Sequence, residues 1–324
     1  MSVLVRHAFV SACWGVLLAA GLVQAQTFRQ YGQECAQKVT PIPAFSCMQG
    51  EVIPITVNGK KPEKYTAQMT CDKPSLLVAP GAEKSDGQCV PYSRALVLRD
   101  DAVAQVSAIC RQKKIRPEGS YLFDEIDIVA HNVRTGSTCW FQALAVDTPL
   151  KVDTGIDGRH VPSPTEVKGQ KVWNAPSKTA MSQCVHCHDS GPFMYSPFIA
   201  QTSALPGDPL GKYKNDVGAA FKAWPKPFGI TTRGNTCTTC HHIGNMNSCN
   251  VAMAQSIGKA DNPGANEWAK KFPQSHWMSP GNLHSQVQWD TAFADSVRLL
   301  AACCKDPKGA QCQSVDYQTT KKTR

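Results

Sequence analysis

Apolar and β-branched residues gather in short runs before about Pro164, whereas the last third of the chain carries apolar residues at helical spacing. The runs Tyr121 to Ala130 and Ser137 to Val146 are well supplied with Phe, Trp, Ile and Val, and Arg134-Thr135-Gly136 joins them. They predict the clearest strand pair in the chain. Glu51 to Val57 is β-branched, and Asn58-Gly59 supplies a tight hairpin turn before Tyr65 to Cys71. Ala95 to Leu98 reads as a strand, and a turn-rich loop fills Pro80 to Gln88. Asp101 to Lys113 sets Val103, Val106 and Cys110 on one helical face, and the spacing predicts a helix.

Thr148 to Pro164 carries three prolines and few apolar residues, which marks a linker. Beyond it, Ser177 is a candidate cap for a short helix, and Pro192, Pro197, Pro206, Pro225 and Pro227 break the next hundred residues into irregular segments. Helices are expected over Ser248 to Ile257, closed by Gly258, and over Pro263 to Phe272, capped by Asn262. Ser285-Gln286-Val287-Gln288 is a capping box that opens a helix running to about Cys304. Trp289, Phe293, Val297, Leu300 and Cys304 give that helix an apolar stripe.

The chemistry is concentrated between Met181 and His242. Cys184-Val185-His186-Cys187-His188 and Cys237-Thr238-Thr239-Cys240-His241 are two copies of C-x-x-C-H, the pattern that attaches c-type haem. Two cysteines three apart on a helical turn can add to the two haem vinyl groups, and the histidine that follows faces the iron. Cys184, Cys187, His188, Cys237, Cys240 and His241 are therefore the expected cofactor-binding residues, with His188 and His241 the iron ligands. Both copies place glycine three residues after the histidine, at Gly191 and Gly244. A zinc ribbon would bring its two knuckles within about 15 to 20 residues, whereas these starts lie 53 apart (237 minus 184). Neither a zinc site nor a redox CxxC pair explains why histidine follows both.

Arg6 and His7 precede an apolar run from Ala8 to Val23, and Val23-Gln24-Ala25 is a small-residue cleavage site before Gln26. This predicts a signal peptide over residues 1–25. Val10-Ser11-Ala12-Cys13 weakly resembles a lipoprotein cleavage box, but apolar sequence continues for ten residues beyond it, which favours a soluble exported protein. No later stretch approaches the roughly 20 apolar residues of a membrane span. Removing the peptide leaves 14 of the 15 cysteines, and the motifs claim four. The even remainder in an exported chain implies disulfides. Six (Cys35, Cys47, Cys71, Cys89, Cys110, Cys139) precede the motifs and four (Cys249, Cys303, Cys304, Cys312) follow them, which suggests separate pairing in each half. Adjacent Cys303 and Cys304 are expected to bond to different partners, with Cys249 and Cys312 the candidates. Spacing alone does not fix connectivity.

The mature chain has 33 basic and 25 acidic residues (34 minus Arg6, against 25), or +8. Four haem propionates would bring that to about +4, a surplus that suits redox partners with acidic docking surfaces or an anionic envelope surface, and that ordinary solubility explains equally well. Apart from Lys113-Lys114 and Lys321-Lys322-Thr323-Arg324 the lysines are scattered, and no nucleic-acid footprint appears. Asp124, Glu125, Asp127 and nearby His131 read as an exposed strand face plus a loop histidine.

Whether such haems shuttle electrons or do chemistry depends on their second axial ligand. The candidates are Met194, Met246, Met253, His276, Met278 and His284, with His160 and His131 more remote and His186 and His242 badly placed beside their own motifs. Between Pro176 and Pro280 the chain resembles the multihaem c-type cytochromes of bacteria, on the strength of the six motif residues. Trp277-Met278-Ser279-Pro280-Gly281 looks like the distal-methionine loop of small c-type cytochromes, with Ser279 standing between Met and Pro. The resemblance implies two covalent haem c groups loaded after export, with Met278 a distal ligand; His276 and His284, which flank it, are the next candidates. The fold expected is α+β: a disulfide-stapled, β-rich domain over 26–164, then a mainly α-helical cytochrome c-like haem domain over 165–324 with long irregular loops.

The function expected is that of a periplasmic or secreted di-haem electron carrier rather than a catalyst. Two alternatives stand beside it. One is a haem enzyme comparable with bacterial di-haem peroxidases, and the other is an N-terminal binding module that recruits the haem unit to a partner.

Overall fold

The computed structural model describes residues 26–66, 69–75, 89–146, 154–206, 211–249 and 286–319. The signal peptide, the helix at 263–272, all but the start of the helix at 248–257, and the ligand candidates Met253, His276, Met278 and His284 lie outside the described residues.

The centre of the fold is a five-stranded antiparallel sheet. Its strands are β1 (Glu51–Val52), β2 (Arg94–Asp100), β3 (Ala104–Arg111), β5 (Glu125–Asn132) and β6 (Thr138–Leu144), in the order β1-β2-β3-β5-β6. Between β3 and β5 the short β4 (Leu122–Phe123) pairs outside this sheet with β7 (Ile156–Asp157). The strand pair expected at 121–146 forms as β5 and β6, and Gly136, at φ +83°, closes the turn between them. Asn58-Gly59 makes its tight turn, both residues at positive φ, but the flanking chain adds no long hairpin.

One face of the sheet packs on helix α1 (Phe28–Lys38), which Thr27 and Gln30 open with a reciprocal capping box. Disulfides Cys35–Cys139 and Cys47–Cys110 tie this layer to β6 and β3. Cys71–Cys89, Cys249–Cys304 and Cys303–Cys312 complete five bridges. The pairing stays within each half of the chain, and the adjacent cysteines part to Cys312 and Cys249, as their positions suggested. Five disulfides mark a chain that matures in an oxidising compartment. No helix among the described residues is long and apolar enough to cross a membrane.

Two expectations are overturned. Asp101 to Lys113 is not a helix, since β3 occupies its centre, with Val106, Ala108 and Cys110 buried on one face. Nor is the chain beyond residue 165 a mainly α-helical haem domain. Its described part holds two α-helices, α2 (Pro176–Met181) and α3 (Gln286–Lys305), with a strand pair of β8 (Gly229–Thr232) and β9 (Cys312–Val315). The rest is irregular chain punctuated by 3-10 turns, because proline lacks the N–H that a continuing helix needs and clashes with the preceding turn. The β-sheet is the dominant framework of the described fold.

The hydrophobic core runs across position 164. Tyr31, Ile126 and Phe141 from before it share one cluster with Trp173, Val185 and Tyr213 from after it. The backbone N–H of Asn174 bonds to the carbonyl of Gln142 at 2.9 Å, and the Trp224 indole donates to the carbonyl of Ala180 at 2.8 Å. These contacts seat α2, and the motif after it, against the edge of β6.

Candidate functional site

Both cysteine motifs adopt the same turn. Gln183, in the left-handed conformation at φ 48°, swings the chain out of α2 into the 3-10 turn Cys184–His186. The carbonyl of Cys184 then accepts the N–H groups of Cys187 at 3.1 Å and His188 at 2.9 Å. In the second motif the 3-10 turn is Cys237–Thr239, and the carbonyl of Cys237 accepts from Cys240 at 3.2 Å and His241 at 2.9 Å. Each histidine thus follows its first cysteine by one hydrogen-bonded helical turn.

A cavity of about 400 Å³ opens beside the first motif, and Cys184, Cys187 and His188 line it. Its broad wall is one face of β3, β5 and β6. Cross-strand rows Ser107–Val129–Trp140, Ile109–Asp127–Gln142 and Arg111–Glu125–Leu144 supply nine of the lining residues. Strand alternation puts all nine opposite the face that carries Cys110 and Cys139. Phe193, Met194, Phe198, Ile199 and Leu205 contribute a further apolar wall.

The ring of His188 is set by its neighbours. Its Nδ1 lies 2.9 Å from the carbonyl oxygen of Pro192, which can only accept, so Nδ1 carries the proton and Nε2 the lone pair. Trp140 meets the ring edge to face at 4.9 Å. Desolvation lowers the histidine's pKa to about 4, which leaves it neutral near pH 7. Histidines that ligate metals are commonly held in this way, with the second ring nitrogen on a carbonyl.

The polar end of the cavity is a charged cluster. Arg111 Nε reaches Asp127 at 3.2 Å and Glu125 at 3.9 Å, while Lys113 Nζ reaches Glu125 at 3.1 Å. Burial, then the charge of Glu125, pushes the Asp127 carboxyl up to about 7. The acidic cluster is therefore not an exposed strand face. Nor is His131 a loop residue: it sits within β5, is buried, and its Nδ1 lies 3.0 Å from the Thr138 hydroxyl. Asp124 serves elsewhere, in a two-point pair with Arg116 at 2.6 and 2.5 Å.

The second motif is held between β8 and α3. Asn235 donates to the carbonyl of Ser296 at 3.0 Å, and the Thr236 N–H donates to the Ser296 hydroxyl at 3.0 Å. Cys237 is buried among Ile230, Val297 and Leu300, whereas Cys240 is exposed.

Every described cysteine outside the two motifs is in a disulfide, and the four motif cysteines are thiols. Burial raises the pKa of Cys184, Cys187 and Cys237. A CxxC pair built for thiol–disulfide exchange does the reverse, holding its attacking thiol low. Among the described residues, no three His, Cys, Asp or Glu side chains gather to hold one metal ion, so the two knuckles do not form a shared zinc site there.

The remaining ligand candidates are spread out. Met194 lines the first cavity, and Met246 packs against the main core. His242 stacks on Tyr317 at 4.5 Å and points Nδ1 at the carbonyl of Ser190, 3.1 Å away. His160 and His186 are exposed. Sequence reasoning missed Trp140, Arg111 and the paired carboxylates as cavity residues. The available signal was the two-residue spacing of Glu125 and Asp127 in the best-defined strand. No protein-family model matches this chain, and neither a curated protein nor a solved structure is found similar to it.

Proposed function

We propose that this chain is an exported di-haem c-type cytochrome, periplasmic or secreted, that carries electrons between redox partner proteins. The observation that carries the reading is the state of the cysteines. Among the described cysteines, all the others of which are disulfide-bonded, the four that stay as thiols are those of two C-x-x-C-H motifs folded into the same turn. The first cavity supports it, being lined by both cysteines, the histidine and apolar side chains.

In this reading Cys184 and Cys187 hold one haem and Cys237 and Cys240 the other, with His188 and His241 as the proximal ligands. When bound, haem iron supplies one-electron chemistry. The residues of the chain set the conditions for it. Pro192 fixes the orientation and tautomer of His188, Trp140 packs edge to face on its ring, and Phe193 and Phe198 supply apolar wall for the first site. Met278, His276 and His284 are assigned the distal positions, with Met194 a further candidate at the first cavity. After loss of residues 1–25 the chain carries +8 (33 basic against 25 acidic), or about +4 with four haem propionates, a surplus that suits partners with acidic docking surfaces.

The test is to produce the chain in an oxidising compartment with a haem-attachment system. Its mass and its alkaline pyridine spectrum then count the covalent haems, and a redox titration with resonance Raman reads their ligands. Two covalent haems, both six-coordinate and low-spin, are expected. A chain that takes up no covalent haem, or one with an open high-spin site and rapid peroxide turnover, would overturn the carrier reading.

A further inference from the structure

We propose that Asn247, on the segment that follows the second motif, is a positioning residue that raises the redox potential of the haem attached at the first; this rests on the di-haem reading above. The Asn247 amide nitrogen lies 3.2 Å from the Sγ of Cys187, across 60 residues of chain. Of the two groups only the amide is a strong donor, so the hydrogen bond runs from nitrogen to sulfur.

The amide is held at that sulfur from both sides. The backbone N–H of Met246 donates to the Asp189 carboxylate at 2.6 Å, and the N–H of Ser248 donates to the same group at 3.2 Å. Asp189 is itself fully buried, two residues beyond Cys187, so the first motif carries the anchor for its own tuning group. Gly244 packs so close to Asp189 that a side chain there would run into the carboxylate carbon, so the two segments meet backbone against side chain at this point.

A thioether sulfur keeps a lone pair and remains a weak acceptor. A donor aimed at it withdraws electron density from the group to which it is bonded and so favours the electron-rich, reduced state. Hydrogen bonding around the cofactor is one of the levers by which a protein tunes haem potential. The arrangement would make the first haem's potential depend on a segment covalently continuous with the second proximal ligand, His241.

The experiment uses the full di-haem chain. Covalent haems are counted first, and both midpoint potentials are then measured by spectroelectrochemistry. A Cys237→Ser, Cys240→Ser variant that keeps only the first haem assigns the two waves. Asn247→Leu removes the donor at similar size, and the smaller Asn247→Ala, which also has no side-chain donor, serves should the leucine variant not fold. Asn247→Asp replaces the donor with negative charge. The first potential is expected to fall with leucine or alanine and to fall further with aspartate, while the second stays in place. A merely structural contact would change thermal stability without ordering the first potential by donor and charge. Two bound haems with an unmoved first potential, or equal shifts at both, would overturn this proposal alone. A chain without covalent haem would defeat the di-haem reading and this proposal with it.

Discussion

The Ser248 hydroxyl donates to the carboxylate of Asp189 at 2.6 Å across 59 residues, and so joins the chain just after one histidine of the paired motifs to the chain just after the other. The carboxylate is fully buried, with one oxygen taking the Met246 N–H at 2.6 Å and the other taking the Ser248 hydroxyl. Asparagine has one accepting oxygen where the carboxylate uses two. Asp189→Asn therefore sets its NH₂ either against the Met246 N–H or at the Ser248 hydroxyl, which must stop donating there in order to accept. The expected loss is about 1–3 kcal/mol, the cost of one unsatisfied buried group. Urea unfolding of wild type and variant checks it, and an unchanged midpoint would show that the junction tolerates the swap.

Gly244 sits on the other side of the same junction. A Cβ on Gly244 would lie 2.4 Å from Asp189 Cγ and 2.5 Å from the Asp189 backbone oxygen. Backbone cannot swing aside as the end of a side chain can. Gly244→Ala should cost about 1–3 kcal/mol through overpacking. In contrast, Gly234 has nothing within 4 Å of its Cβ position, although its φ of +69° adds backbone strain to any substitution. Gly211 has neither obstacle, so Gly211→Ala is the control and should leave the melting temperature nearly unchanged.

Much of the local chemistry is legible in the residues, and much of the architecture is not. The C-x-x-C-H copies announce themselves because their chemistry needs fixed residue types at fixed spacing. The disulfide partners Cys249, Cys303, Cys304 and Cys312 can be grouped because an exported chain must place an even remainder. By contrast, β3 resembles a helix in sequence because both of its faces are covered. Val106, Ala108 and Cys110 face the core, Ser107, Ile109 and Arg111 face the cavity, and simple polar alternation is lost. Glu125 and Asp127 look like solvent-facing charges because nothing local shows that residues 182–205 will close over them. That wall depends on contacts more than fifty residues distant. Beyond residue 165 the helix expected to run to about Cys304 is present as α3, and the stretch that Pro192 to Pro227 were expected to break is a series of turns.

The disulfides permit a graded test. Cys35–Cys139 spans 104 residues and Cys71–Cys89 spans 18. If the bridges act by restricting the unfolded chain, removing each should cost roughly 2–5 kcal/mol, and the longer loop should cost about 1.5 kcal/mol more. Double alanine variants compared by guanidinium denaturation give both numbers. Equal losses would point instead to local packing around each bridge.

Asp127 makes stability depend on pH. Arg111 and Glu125 are its near charged neighbours, Lys113 pairs with Glu125, and Cys184, Cys187 and His188 line the same cavity. Burial and the nearby Glu125 raise the Asp127 carboxyl to about 7 in the folded chain, against about 3.9 in an unfolded one. Between those values the folded state binds more protons than the unfolded state. Stability from this group is therefore fully present below about pH 4 and is lost progressively as pH rises through 7. Asp127→Asn keeps the shape and removes the titration. The variant should gain on wild type as pH rises from 4.5 to 8, with the difference between their urea midpoints levelling off above 7. A difference that stayed constant across that range would mean that Asp127 is already ionised in the folded chain at pH 4.5, held so by Arg111.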